Sequence, residues 1–66
     1  MEERLLMEFS DLTQKIAKLE QFTLTEKFDA LDNTMRDLMM KQLEVMRTYN
    51  DILFERISRI MRQEKD

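Results

Sequence analysis

The chain has 66 residues and a net charge of −3 at pH 7, and it contains no Gly, Pro, Cys or His. Without Cys and His it cannot form a disulfide and lacks the commonest metal ligands, so we expect no metal or cofactor site. The small charge of mixed sign argues against a nucleic-acid-binding protein, and the absence of Gly and Pro favours helices with few connections.

Length and hydropathy set two further limits. A domain this short buries only about 60% of the surface of its unfolded chain, so we expect self-association to supplement its core. No uncharged apolar run is long enough to span a bilayer, and no segment has the pattern of a secretory signal. The sequence therefore predicts a cytoplasmic protein that does not enter the membrane.

The first predicted element is a helix over residues 2–21. Its apolar residues recur at alternating steps of four and three, and they are Leu5, Phe9, Leu12, Ile16 and Leu19. This spacing places them on one stripe of the helix, about 100° wide, which is the width expected of a helix that packs against a single neighbour.

The periodicity breaks after this helix, and a short helix over residues 25–30 is predicted with Thr25 as its N-cap. We expect the apolar residues around it to cover the end of a helical hairpin, and these are Phe22, Leu24, Phe28 and Leu31. Asp32 or Asn33 can cap a second, long helix over residues 33–62, which would be about 45 Å long.

The apolar arc of this second helix is about twice as wide as one neighbouring helix can cover. We therefore predict an all-α fold with a single domain. In it, an antiparallel two-helix hairpin with a short helical connector self-associates into a helical-bundle oligomer of the coiled-coil type. The residues predicted at the oligomer interface are Met39, Val45, Met46, Ile52, Leu53 and Ile60.

Three polar residues, Gln42, Tyr49 and Arg56, recur every seven residues inside this apolar arc. Polar groups that are covered need hydrogen-bonding partners. In one interpretation they bind a small ligand together with Met46 and Arg59, because an aromatic ring, an amide and guanidinium groups are typical of nucleotide pockets. In the other they hydrogen-bond across a symmetric interface and fix its register.

A ridge of three arginines, Arg56, Arg59 and Arg62, lies near the end of the second helix. Guanidinium groups match phosphate oxygens, so the ridge is a candidate anion site. The alternative is pairing with carboxylates of the first helix, which an antiparallel hairpin would bring to the same end, namely Glu2, Glu3 and Glu8.

Catalytic chemistry has little support in this sequence. A nucleophile and base pair of the usual kind needs His or Cys, and a phosphate-cradling loop needs Gly. Catalysis by two carboxylates would need a concave site that a helical hairpin alone lacks. We therefore expect a protein that is not an enzyme.

A series of residues extends from residue 18 to residue 57: Lys18, Leu19, Phe22, Glu26, Lys27, Phe28, Leu31, Leu38, Gln42, Met46, Tyr49, Ile52, Leu53, Arg56 and Ile57. It resembles a group of very short bacteriophage-encoded helical hairpin proteins. The resemblance implies that the protein resides in the cytoplasm of an infected bacterium. Small phage proteins of this kind include sponges that sequester the nucleotide second messengers of host immunity.

The leading hypothesis is therefore a non-enzymatic phage oligomer that binds and sequesters a small anionic ligand, such as a cyclic nucleotide or an ADP-ribose derivative, as an anti-defence sponge. Its predicted ligand-binding residues are Gln42, Met46, Tyr49, Arg56 and Arg59. The alternative is a structural or protein-interaction module, either a virion adaptor or an inhibitor that docks on a host protein.

Overall fold

The computed structural model describes residues 3–64, and in that range it contains three helices and no strand: α1 (Glu3–Phe22), α2 (Glu26–Asp29) and α3 (Asn33–Glu64). The predicted all-α class is confirmed. The residue at which the first helix was predicted to begin, Glu2, lies outside the described residues. α1 and α3 end slightly later than the sequence predicted, and α2 is shorter than predicted.

Side-chain caps begin the two helices that follow α1. The Thr25 hydroxyl accepts a hydrogen bond from the Phe28 amide at 3.3 Å, as the sequence predicted. Asp32 rather than Asn33 caps α3, because its carboxylate accepts from the Met35 amide at 2.7 Å. Each cap satisfies an amide that the first turn of a helix leaves free. The chain thus forms both helix starts without Gly or Pro.

α1 packs along α3. Leu5, Leu53 and Ile57 form a buried cluster, against which pack Phe9, Leu12 and Ile60. The Phe9 and Phe54 rings lie 6.1 Å apart between centroids, and Arg47 forms an ion pair with Glu20.

The molecule is elongated, with principal extents of 53 × 15 × 15 Å. Its length is set by α3, which spans 32 residues. Within the described part of the chain, none of the helices is both long and apolar enough to cross a membrane.

The connector buries part of the apolar set that was predicted there. The Phe22 and Phe28 rings meet edge to face with centroids 6.1 Å apart, Phe28 is buried, and Leu31 is half-buried. The prediction for Leu24 is wrong, because its side chain is 88% exposed. Leu24 lies in the turn between α1 and α2, where its amide donates to the Gln21 carbonyl at 3.1 Å and its side chain faces solvent.

Candidate functional site

The polar row of α3 lies at the surface of the single chain. Gln42 and Arg56 are exposed, and Tyr49 is 43% exposed. α1 packs on the neighbouring part of α3, against Leu53 and Ile57, and leaves Gln42 and Arg56 exposed. Any molecule that covers Gln42 and Arg56 must therefore come from outside the chain.

The spacing of the row divides it into two parts. Gln42 and Arg56 are fourteen residues apart, which is about 21 Å along a helix and too far for one small ligand to reach both. Tyr49 and Arg56 lie two turns apart, and the charge of Arg56 lowers the pKa of the Tyr49 phenol. Gln42 points towards Met46, to whose sulfur its amide donates at 3.9 Å.

Tyr49 forms a hydrogen bond with a residue of α1. Its hydroxyl donates a hydrogen bond to the Glu8 carboxylate. This hydrogen bond raises the pKa of Tyr49 above its usual 10.0, with smaller contributions in the same direction from burial and from the Glu8 charge. The phenol is therefore neutral at neutral pH, and its ring is held beside α1.

An open groove of about 400 Å³ lies beside Tyr49 and is bordered on α1 by Arg4, Glu8, Asp11 and Lys15. These four residues recur at steps of four, three and four, the spacing of one row on a helix. The sequence contains this signal, but the row was missed because its residues are charged rather than apolar. The groove therefore offers two cations and two carboxylates next to an aromatic ring.

The residues predicted at the oligomer interface separate into two sets. Leu53 is fully buried by α1, and three others are half-buried: Met39, Met46 and Ile60. Val45 and Ile52 are 66% and 52% exposed, and with Tyr49 they line a shallow depression of about 320 Å³ on the outer side of α3. Of the six residues predicted at the interface, Val45 and Ile52 are the most exposed in the single chain.

The arginine ridge near the end of α3 is open to solvent. Arg59 and Arg62 border a depression of about 260 Å³, and Arg62 donates to the Ser58 carbonyl at 3.3 Å. Glu8, one of the carboxylates predicted to pair with the ridge, accepts instead from Tyr49. Within residues 3–64 no cluster of three or more acidic side chains is arranged to hold a metal ion.

Comparison with protein families gives a match to the Sequestin family over residues 1–59. The chain belongs to the Sequestin family. Comparison with curated proteins and with solved structures gave no match. The Sequestin match includes the whole polar row of α3 and the charged row of α1.

The region shared with the Sequestin family also contains Asn50, a polar residue that the sequence analysis overlooked. Asn50 is half-buried between α1 and α3, and its amide nitrogen donates to the Thr13 hydroxyl at 3.3 Å. It lies seven residues after Leu43 and seven before Ile57, both buried, so the heptad spacing could have identified it.

Proposed function

We propose that this protein sequesters a small anionic ligand without transforming it. The ligand class that fits best is a nucleotide signal of bacterial immunity, so that the protein acts as a phage anti-defence sponge. The family name refers to sequestration. The observation that carries the proposal is the groove beside Tyr49, which is lined by charges of both signs. The charge of Arg56 lies near enough to lower the pKa of the Tyr49 phenol.

A nucleotide matches this mixture of charges better than a simple anion does. Arg56, with Arg59 one turn further along, supplies guanidinium groups that donate paired hydrogen bonds to phosphate oxygens. The Tyr49 ring offers a surface on which a base can stack. Glu8 and Asp11 would repel a bare anion, but their carboxylates can accept hydrogen bonds from ribose hydroxyls.

Binding without reaction accords with the residues present. The chain has no His and no Cys, and the groove beside Tyr49 offers no nucleophile with an adjacent base of the usual type. In the proposal the protein lowers the concentration of a free signal by stoichiometric binding. Its effect then depends on affinity and abundance rather than on turnover.

The proposed assembly is an oligomer of hairpins. α1 and α3 form an antiparallel hairpin, and the exposed aliphatic residues of α3 cover one another between copies. These residues are Leu38, Val45 and Ile52, each more than half exposed in the single chain. Apolar surface of this kind is stabilised when a second helix covers it.

A thermal-shift screen of cyclic nucleotides and ADP-ribose derivatives tests the proposal. A compound that binds only the folded protein raises its stability by about 2.7 kcal/mol at a hundredfold excess over its dissociation constant. Arg56→Ala should abolish this shift, whereas the control Arg62→Ala removes the same charge six residues away and should retain it. Loss of the shift in both variants, or in neither, would contradict the assignment of Arg56.

The exposed aliphatic row also supports a second candidate function, in which the protein docks on a host protein or acts as a virion adaptor. Val45 and Ile52 form a surface that another protein helix could cover. This candidate replaces the first if no nucleotide shifts the melting temperature while Ile52→Asp abolishes activity in infected cells. Under the sponge proposal, Arg56→Ala should abolish that activity as well.

A further inference from the structure

Two rows of α3 side chains together have the spacing of a coiled-coil seam. The apolar row is Leu38, Val45 and Ile52, and the polar row is Gln42, Tyr49 and Arg56. Taken in order along the chain, these residues are separated by alternating steps of four and three, the pattern that one helix presents to another. We refer to the two rows together as the outer seam.

The outer seam lies beside the seam that α1 already covers. The buried residues Leu43, Leu53 and Ile57 each follow a member of the outer seam by one residue, and Leu53 and Ile57 pack against Leu5 of α1. One residue corresponds to about 100° around a helix. A second helix on the outer seam would therefore lie next to α1 around α3, as adjacent helices do in a four-helix bundle.

We infer that α3 of a second copy covers the outer seam in the antiparallel direction, with the two-fold axis near the level of Arg47 and Thr48. This inference rests on the self-association in the proposed function and adds its direction and register. With this axis, residues of the two copies that lie at equal distances on either side of the axis level face each other. Val45 then lies opposite Tyr49 of the second copy, and Leu38 lies opposite Arg56 of the second copy.

Charge pairing favours this register over the registers shifted by one heptad. Next to the apolar row, on the side away from α1, lies a third row that contains Lys41, Thr48, Glu55 and Arg62, all exposed. The proposed axis brings Lys41 near Glu55 of the second copy, and symmetry repeats this attraction. A shift by one heptad in either direction places Lys41 beside Arg62 or beside Thr48 of the second copy, so the attraction is lost.

Charge also selects the antiparallel direction. In a parallel pair in register, each residue of the seam meets its own counterpart. Arg56 would then face Arg56 of the second copy, and Arg59 would face its counterpart one turn further on. Like charges in such positions repel each other, whereas the antiparallel pair separates the two copies of Arg56 by about 27 Å.

The antiparallel pair also assembles the divided polar row into one site. Gln42 of the second copy lies opposite Ile52, which places it between the levels of Tyr49 and Arg56. Along the helix axis it is about 4.5 Å from the level of Tyr49 and about 6 Å from the level of Arg56. All three side chains lie on the side of the seam that faces α1 and its groove. Each dimer thus has two equivalent ligand sites, and each site is incomplete without the other copy.

Cross-linking tests the direction and register without a ligand. The chain has no Cys, so Thr48→Cys and Leu38→Cys each introduce a single thiol at an exposed position. With a short bis-maleimide, Thr48→Cys should form covalent dimers in high yield, because position 48 faces itself across the axis. Leu38→Cys should not, because its two copies would be about 27 Å apart.

The outcomes separate a wrong register from a failure of self-association. Efficient cross-linking of Leu38→Cys would indicate a parallel pair and overturn the inference. If neither variant cross-links, light scattering of the unmodified protein decides what has failed. A dimer or larger oligomer overturns the register alone, and an 8.1 kDa monomer overturns both the register and the proposed oligomer.

A charge exchange gives an independent test. Lys41→Glu and Glu55→Lys should each weaken dimerisation by roughly two- to thirty-fold, because each places like charges together twice in the dimer. The double variant Lys41→Glu with Glu55→Lys should recover the dimerisation constant of the unmodified protein. Positions 41 and 55 are too far apart within one helix to compensate each other. Failure of the double variant to recover would contradict the inferred pairing.

Discussion

Tyr49 on α3 donates its phenolic hydrogen to the carboxylate of Glu8 on α1, which links the polar row of the long helix to the N-terminal helix. The hydrogen bond to Glu8 is the main reason that the pKa of Tyr49 lies above 10.0, while Arg56 acts in the opposite direction. The chain has one Tyr and no Trp. Absorbance and fluorescence therefore report on the centre of the candidate site alone.

The first prediction concerns the phenolate absorbance of Tyr49. Glu8→Ala should lower the pKa of Tyr49 towards 10.0, because it removes both the hydrogen bond and the nearby negative charge. Arg56→Ala should raise it further, because a cation that favours the phenolate is lost. Asp11→Ala is the control, because it removes another carboxylate from the same groove. It should change the titration midpoint of Tyr49 less than Glu8→Ala does. An unchanged midpoint in Glu8→Ala would refute the Tyr49–Glu8 contact in solution.

The second prediction concerns stability at high pH. The pKa of Tyr49 is higher in the folded chain than in the unfolded chain, so its contribution to stability is complete below about pH 10. It is lost as the pH rises through the folded-state pKa, because the unfolded chain releases the proton first. The melting temperature should therefore fall more steeply above about pH 10 in the unmodified protein than in Tyr49→Phe. Equal slopes would contradict the raised pKa.

The third prediction compares two neighbouring residues of α3. Leu53 is fully buried against α1, whereas Ile52 is 52% exposed. Leu53→Ala should lower the free energy of unfolding by about 2 to 5 kcal/mol, because it leaves a cavity in the core. Ile52→Ala should change helix content little but should weaken self-association. Circular dichroism during denaturation and light scattering measure the two effects, and a reversed pattern would show that Ile52 faces α1.

The fourth prediction follows from the composite site. Gln42→Ala and Arg56→Ala should each abolish binding of the compound that shifts the unmodified protein most in the screen. When equal amounts of these two variants are mixed and exchange subunits, about half of the dimers contain one chain of each variant. Each mixed dimer has one intact site of its two, so binding should return to about one quarter of the capacity of the unmodified protein. A mixture that stays inactive would show that both residues must come from the same copy. The double variant Gln42→Ala with Arg56→Ala, mixed with Arg56→Ala, is the inactive control.

Local rules were sufficient for the helices but not for the turn between them. The sequence predicts Thr25 as an N-cap because the capping interaction involves residues only three positions apart. The interaction depends on nothing distant in the chain. Hydropathy predicts that Leu24 covers the end of the hairpin, because it is apolar. Its orientation depends on the path of the backbone through the turn, which hydropathy does not encode.

The width of the apolar arc on α3 could be predicted, but the part of it that α1 covers could not. Leu53 and Ile52 are adjacent and of similar hydropathy, so periodicity assigns both to the arc. They point about 100° apart, and only the packed position of α1 distinguishes the buried residue from the exposed one. The Tyr49–Glu8 contact depends in addition on how far α1 is displaced along α3.

Asn50 gives the last prediction, because its side chain is only partly satisfied between the helices. Its amide nitrogen donates to the Thr13 hydroxyl at 3.3 Å, but Oδ1 is buried without a hydrogen-bond partner among the described residues. Asn50→Leu should therefore stabilise the fold by about 1 kcal/mol and raise the melting temperature by about 4 to 8 °C. The Thr13 hydroxyl keeps its bond to the Phe9 carbonyl at 2.8 Å. Asn50→Asp should destabilise the fold, because it buries a charge. A lower melting temperature for Asn50→Leu would show that Asn50 contributes more than packing.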